Sequence, residues 1–230
     1  MSRLPLPGGR GPASAPILFI GNSYTASHDL PGMVGFLARS RGRGNAIESA
    51  AGGGMALHQH ASEAGSLGLL RSRPWWRVVL QEQSILPALP GEREAWMFPA
   101  VRLLAALARA QGAEPVLFLT WARKDVLAEF GFRDLRHLQV ALGEGYLAIA
   151  REIGAAVAPV GPAWLVAADR GFELWQADGS HPAIGGTYLA ACVLYATLFR
   201  DDPAGLPAVP GISAEVARGL QAVAGTAPGL

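Results

Sequence analysis

Five short runs, ILFI (17–20), AIESA (46–50), RVVLQ (77–81), PVLFLT (115–120) and AAVAPV (155–160), recur along the chain, each followed by a stretch long enough for a crossover helix. A strand with one wet face would alternate apolar and polar residues. These runs read instead as apolar throughout, which suits strands buried on both faces. In the intervening stretches Leu135, Leu138, Leu142, Tyr146, Ile149 and Ile153 recur at three- and four-residue steps, as do Leu189, Cys192, Val193, Ala196 and Phe199. Ile212, Val216, Leu220 and Val223 mark a last amphipathic helix that Ser213 is placed to cap. The alternation predicts an α/β fold, a three-layer α/β/α sandwich with a central parallel sheet of about five strands. No linker or internal repeat interrupts it, so residues 1–230 read as one domain, with residues 1–15 and 225–230 as loose termini.

Composition narrows the partners. Among 230 residues there are 19 basic and 18 acidic side chains, a formal charge of +1, and the arginines (Arg39, Arg71, Arg102, Arg133, Arg151) are spread along the chain rather than gathered in a stripe. The footprint of a nucleic-acid binder is missing. A single cysteine, Cys192, forms no intramolecular disulfide and fits the apolar stripe of its helix, where core packing is expected. No segment has the roughly 18 uninterrupted apolar residues of a membrane span, and the N-terminus lacks the apolar stretch of a signal peptide. A cytoplasmic protein is expected by default, although removal of a signal peptide would leave the same sequence picture. Oligomeric state is not legible.

In a parallel sheet covered on both faces, ligands bind beyond the carboxyl ends of the strands. Those ends carry GNSYT (21–25), AGGGM (51–55), QEQS (81–84) and TWARKD (120–125), and DGSHP (178–182) precedes the last long helices. A serine hydroxyl becomes a nucleophile when a base takes its proton, and an imidazole does this best when a carboxylate fixes its tautomer. Ser23, His181 and Asp178 supply those types. Asp178 and His181 are close enough in a glycine-containing turn for the carboxylate to reach one ring nitrogen, and Pro182 restricts the His181 backbone. A strand-to-helix turn at Ser23, the Gly52–Gly54 run and an amide of Gln81 or Gln83 are candidate donors to an oxyanion.

On these residues the sequence resembles the SGNH, or GDSL, hydrolase superfamily. Gly21, Ser23 and Thr25 match its first block, a G-x-S-x-[ST] turn, and Asp178 and His181 match its closing D-x-x-H. The resemblance implies Ser23 as nucleophile, His181 as base and Asp178 as the group that orients it. It implies an oxyanion hole of Ser23, Gly54 and Gln83, with Gly53 the near alternative to Gly54. The third block departs from the family: G-x-N-[DE] is replaced by Gln81, Glu82, Gln83 and Ser84, which places Gln83 at the asparagine and Gln81 at the glycine. Asn22 stands where many members have aspartate. The resemblance runs from about residue 16 to 200, and the HPAIGGTYLAACVLYATLF helix is similar to that of bacterial relatives of carbohydrate esterases.

A serine ester hydrolase acting through an acyl-enzyme is therefore expected, removing a short acyl group such as acetyl from a small-molecule or saccharide ester, with no cofactor. The rival activities are a thioesterase or lipase-like SGNH hydrolase, a flavodoxin-like protein whose GNSYTAS loop cradles a phosphate or nucleotide, and a glycan-binding protein that has lost catalysis. His58 and His60 have no acidic or cysteine partner nearby, so no metal is expected, and they read as solvated or as lining the cleft entrance. His28 and His137 read as surface or locally hydrogen-bonded. Trp121 and Trp175 are balanced between core filling and stacking on a sugar or acyl chain. Arg123 and Lys124 read as solvated loop charges, with an anionic group on the substrate as the alternative.

Overall fold

Each strand's alternate side chains go to opposite faces, so a strand apolar at every position needs a covering layer on both sides. The computed structural model of the protein, which describes residues 14–226, has those layers. In chain order the strands and helices are β1 (Ile17–Gly21), α1 (Ser23–Ala26), α2 (Leu30–Ser40), β2 (Ile47–Ala51), α3 (Leu57–His60), α4 (Ala64–Arg71), β3 (Arg77–Leu80), α5 (Pro90–Glu92), α6 (Phe98–Ala110), β4 (Glu114–Phe118), α7 (Leu135–Ile153), β5 (Ala156–Ala158), α8 (Val160–Asp169), α9 (Ile184–Phe199) and α10 (Ala214–Gly225). Ile17, Phe19, Val79, Val116 and Phe118 point into one core with α2, α8, α9 and α10. Leu18, Ile20, Val78, Leu80 and Leu117 point into the other with α6 and α7. The result is the expected three-layer α/β/α sandwich. Most of the termini read as loose lie outside the described residues, although α10 runs to Gly225.

All five strands are parallel, in the order β2-β1-β3-β4-β5. From β1 the chain crosses to β2 on one side and then to β3 on the other, so the carboxyl ends of β1 and β3 flank the point where the winding reverses. Such a point opens a crevice. GNSYT leaves β1 there and QEQS leaves β3 beside it, with Ile20 paired to Leu80.

β2 departs from the apolar expectation. It is an edge strand, half-buried along its length, and Glu48 faces solvent enough to pair with Arg73. With a neighbour on one side only, it tolerates polar residues that β1 and β3 do not. α9 departs in the opposite sense. A stripe was expected, but nearly the whole helix is buried, because α2, α8 and α10 pack around it and leave no wet face. Cys192 is wholly buried there, and burial pushes its thiol up to about 12. Ser213 caps α10 as expected, its hydroxyl accepting the Val216 N–H at 3.2 Å.

Behind the crevice an aromatic stack ties the layers together. Tyr24 stacks on Trp121 at 4.4 Å, Trp121 on Trp164 at 4.0 Å, and Trp164 meets Trp175 edge-on at 5.5 Å. Trp121 is wholly buried with both ring faces covered, so it fills the core and has no face to offer a sugar. Trp175 is half-buried, and Lys124 Nζ lies 4.3 Å above its ring.

Candidate active site

The turn after β1 is held from three directions. Asn22 caps α1, its Oδ1 accepting the Tyr24 N–H at 3.1 Å, and its Nδ2 donates to Met55 O at 3.0 Å. Gln81, wholly buried, accepts both the Asn22 N–H at 3.0 Å and the Thr25 hydroxyl at 2.8 Å on its Oε1. Its Nε2 donates to Asn22 Oδ1 at 2.9 Å and to Glu82 O at 2.6 Å. Every donor and acceptor of that amide is therefore engaged in fixing the turn. Between the two candidate glutamines, Gln81 has no N–H left for an oxyanion.

The third tie comes from His60, which corrects the expectation that it is solvated. It is buried, with Nε2 2.7 Å from Gly21 O and Nδ1 2.7 Å from Ser66 Oγ. A carbonyl only accepts, so Nε2 carries a proton. Burial lowers the pKa of the ring and favours the neutral form, in which Nδ1 accepts the Ser66 hydroxyl. His58, on the other side of the one-turn helix α3, lies against Trp96 with ring centroids 5.1 Å apart.

Gly21 has a steric reason to be glycine. A Cβ there would lie 2.4 Å from Thr25 Oγ1 and 2.5 Å from Gln81 Oε1. Gly21→Ala is expected to push these partners apart at a cost of about 1–3 kcal/mol in stability, read by chemical denaturation. Unchanged stability would show that the Gln81 contacts are dispensable.

Opposite this turn, the connection from α8 to α9 brings Asp178 and His181 to Ser23. Trp175 and Pro182 form an antiparallel bridge that brackets the DGSH turn, and Gly179 takes a φ of 69° that suits glycine. Lys124 N–H donates to Gly179 O at 2.8 Å and Trp121 Nε1 to Ser180 O at 3.0 Å, so the loop after β4 holds this turn in place. Ser180 Oγ is 2.8 Å from the hydroxyl of Tyr24, the neighbour of Ser23.

The resulting line of contacts is continuous. His181 Nε2 lies 3.0 Å from Ser23 Oγ, and His181 Nδ1 lies 2.6 Å from Asp178 Oδ2. The other carboxylate oxygen accepts the N–H groups of Ser180 at 2.9 Å and His181 at 3.0 Å. The hydrogen bond from His181, followed by that from Ser180 N–H, holds the Asp178 carboxyl below its ordinary range. An ionised carboxylate accepts only, so Nδ1 carries the imidazole proton and Nε2 faces Ser23 with a free lone pair. The side chains of His181 and Asp178 are 39% and 46% exposed, so the site opens directly to solvent.

In the loop that Asn22 ties at Met55 O, Gly53 and Gly54 lie exposed, with no described atom within 4 Å of where a Cβ would stand, in a turn closed by Met55 N–H to Gly52 O at 3.2 Å. Gly54, at φ 70°, is the one of the pair whose backbone requires glycine. Gln83 is half-buried. Its Oε1 accepts Ile85 N–H at 2.9 Å and Leu86 N–H at 3.2 Å, and its Nε2 makes one long contact, 3.3 Å, with Ser84 Oγ. The carbonyl end is fixed and, among the described residues, the NH₂ end retains a free donor.

The charges expected to be solvated are more engaged than that. Arg123 pairs with Asp125 and donates to Ser84 Oγ at 2.8 Å. His137 Nδ1 accepts the Arg133 N–H at 3.3 Å, a local role as expected, and His28 Nδ1 lies 2.9 Å from Thr187 Oγ1 on α9. Sequence reasoning missed the parts played by Asn22, His60 and Gln81. Only Asn22, directly before a helix, carried a signal, that of an N-cap.

No known family profile and no curated protein matches the sequence. Among solved structures, a protein from Slackia heliotrinireducens assigned as an SGNH hydrolase superposes with a TM-score of 0.68 at 30% identity, over 80% of this chain and 99% of that one. A DUF4886 family protein from Bacteroides uniformis gives 0.73 at 18% identity, over 92% and 93% of the two chains. An acetyl xylan esterase from Geobacillus stearothermophilus gives 0.58 at 13% identity, over 86% and 97%. The last two share the fold. The first, at its identity and coverage, together with the blocks around Ser23 and His181, shows that this chain belongs to the SGNH hydrolase superfamily.

Proposed function

We propose that the protein is a serine carboxylic ester hydrolase that works through an acyl-enzyme and removes a short acyl group, acetyl foremost, from a saccharide ester. The observation that carries this reading is the unbroken run from Ser23 Oγ through the His181 imidazole to an Asp178 carboxylate anchored by two backbone N–H groups.

Ser23 Oγ attacks the ester carbonyl carbon while its proton passes to His181 Nε2. The carbonyl oxygen becomes an oxyanion. Tyr24 N–H is taken by Asn22, which leaves the Ser23 N–H as the first-turn donor to that oxyanion, joined by Gly54 N–H and the free N–H of Gln83. Collapse of the tetrahedral intermediate breaks the bond to the leaving alkoxide, which takes the proton from His181. Water, giving a proton to the same nitrogen, then attacks the acyl carbon, and breaking of the acyl–Oγ bond releases the carboxylic acid while His181 returns the proton to Ser23 Oγ.

The choice of a saccharide rests on the exposed setting of His181 and Asp178, which leaves room for a bulky alcohol, and on the acetyl xylan esterase among the structural relatives. The phosphate-cradle reading of the same loop loses two of its donors, since the Asn22 N–H and the Thr25 hydroxyl both point at Gln81.

A fluorophosphonate probe, followed by peptide mass spectrometry, tests the nucleophile. Label is expected on Ser23 and is expected to disappear in His181→Ala. Acetylated xylo-oligosaccharides assayed beside acyl esters of increasing chain length then test the substrate class. Label elsewhere sinks the mechanism, and a preference for long chains replaces the saccharide reading with a lipase-like one.

A further inference from the structure

Glu82 is a carboxyl in a place that does not pay for one. It lies two residues past the end of β3 and is wholly buried, and its Oε2 has no hydrogen-bond partner among the described residues. Burying an ionisable group with an oxygen left open is costly, and neither of the nearby ionisable groups offsets it. Tyr146 of α7, which accepts the Glu82 N–H at 3.0 Å, is kept protonated by burial, and His60 of α3 is neutral and turned to Gly21 and Ser66. Burial pushes the Glu82 carboxyl up to about 7.

Its other oxygen occupies a junction. Oε1 accepts Leu57 N–H at 3.0 Å and Gln83 N–H at 2.7 Å. Leu57 opens α3 three residues after Gly54, and the same loop is tied at Met55 O to Asn22. One oxygen thus joins the segment that carries Gly54 to the residue that carries the third candidate donor, with the nucleophile turn linked to both.

We propose that Glu82 is a positioning residue: its buried carboxylate, by drawing Leu57 N–H and Gln83 N–H onto one oxygen, holds the Gly54 loop and the Gln83 amide in register around the oxyanion. The inference rests on the hydrolase reading above. A charge-assisted hydrogen bond is roughly twice as strong as a neutral one, so the ionised form grips both segments more firmly than the acid does. Glutamine keeps the shape and one acceptor, and so imitates the protonated form at every pH.

The test is steady-state kinetics of Glu82→Gln and Glu82→Leu on an acetyl ester from pH 6 to 9, with inhibition by a boronic acid as a tetrahedral mimic. For Glu82→Gln, kcat is expected near the wild-type value at pH 6 and about tenfold below it at pH 9, with KM within about twofold and boronic acid inhibition weakened in parallel. A thermal midpoint at or above the wild-type one is expected, because an unpaired buried charge has been removed. Glu82→Leu is expected to lose more. Glu82→Gln matching the wild-type kcat and boronic acid affinity across the range overturns the proposal even if Glu82→Leu fails to fold. Absence of ester turnover in the wild-type protein would instead sink the hydrolase reading, and retention of turnover in Ser23→Ala the assignment of its nucleophile, so these failures are distinguishable from that of the Glu82 proposal.

Discussion

Replacing Ser23 by alanine is expected to lower kcat on an acetyl ester by at least about 10⁴-fold while the protein stays folded. Under the proposed mechanism the loss follows from removing the atom that would form the acyl-enzyme; what persists is whatever the oxyanion donors achieve with water alone. The fold should survive because, among the described residues, Ser23 Oγ is bonded only to His181 Nε2, at 3.0 Å, while the turn is held by other atoms. Gln81 grips Asn22 and Thr25, His60 grips Gly21 O, and the Ser27 hydroxyl donates to the backbone oxygen of residue 23 at 2.7 Å. None of these contacts uses the hydroxyl being deleted. Stability should therefore change by no more than about 0.5 kcal/mol, as for a substitution that opens no core cavity. Single-turnover kinetics and a thermal melt read the two halves of the expectation. Turnover within tenfold of wild type in a folded Ser23→Ala protein would mean that the nucleophile lies elsewhere.

Some of this architecture was legible in the residues and some was not, for a physical reason that differs from element to element. β1, β3 and β4 were readable because burial on both faces demands an unbroken apolar run, and ILFI, VVL and PVLF satisfy it. β2 was readable only as a span, since Glu48 and Ser49 are tolerated by an edge position that no local pattern announces. Ser23, Asp178 and His181 stood out because their chemistry narrows the choice of residue type at each position. The turn-holding roles of Gln81 and His60 were not legible, because a polar side chain has many ways to be satisfied and the choice is made by a partner far along the chain. Gln81 meets Asn22 across 59 residues, and His60 meets Gly21 across 39. Trp121 illustrates the same limit: a tryptophan at a strand end suits a core or a ligand equally, and only the placement of Tyr24 and Trp164 on its two faces decides.

Asp178→Asn is expected to cost about 10³- to 10⁴-fold in kcat although it changes one atom and leaves the turn intact. The direction in which the new amide must point is set by the backbone. Asp178 Oδ1 accepts N–H groups from both Ser180 and His181, at 2.9 and 3.0 Å. An asparagine that turned its NH₂ toward them would set donor against donor twice, so its carbonyl oxygen stays there and its NH₂ faces His181 Nδ1. That nitrogen must then accept, which moves the imidazole proton to Nε2, where it opposes the Ser23 hydroxyl instead of receiving its proton. The distance from His181 to Ser23 need not change for catalysis to fail; the tautomer alone is wrong. Fluorophosphonate labelling of Ser23 should slow by a similar factor, since that reaction needs the same proton transfer, whereas the thermal midpoint should move by only a few degrees. If Asp178→Asn retains more than about a tenth of wild-type kcat and labels at a normal rate, the carboxylate is not what sets the His181 tautomer, and the base must be oriented by the backbone of the turn itself.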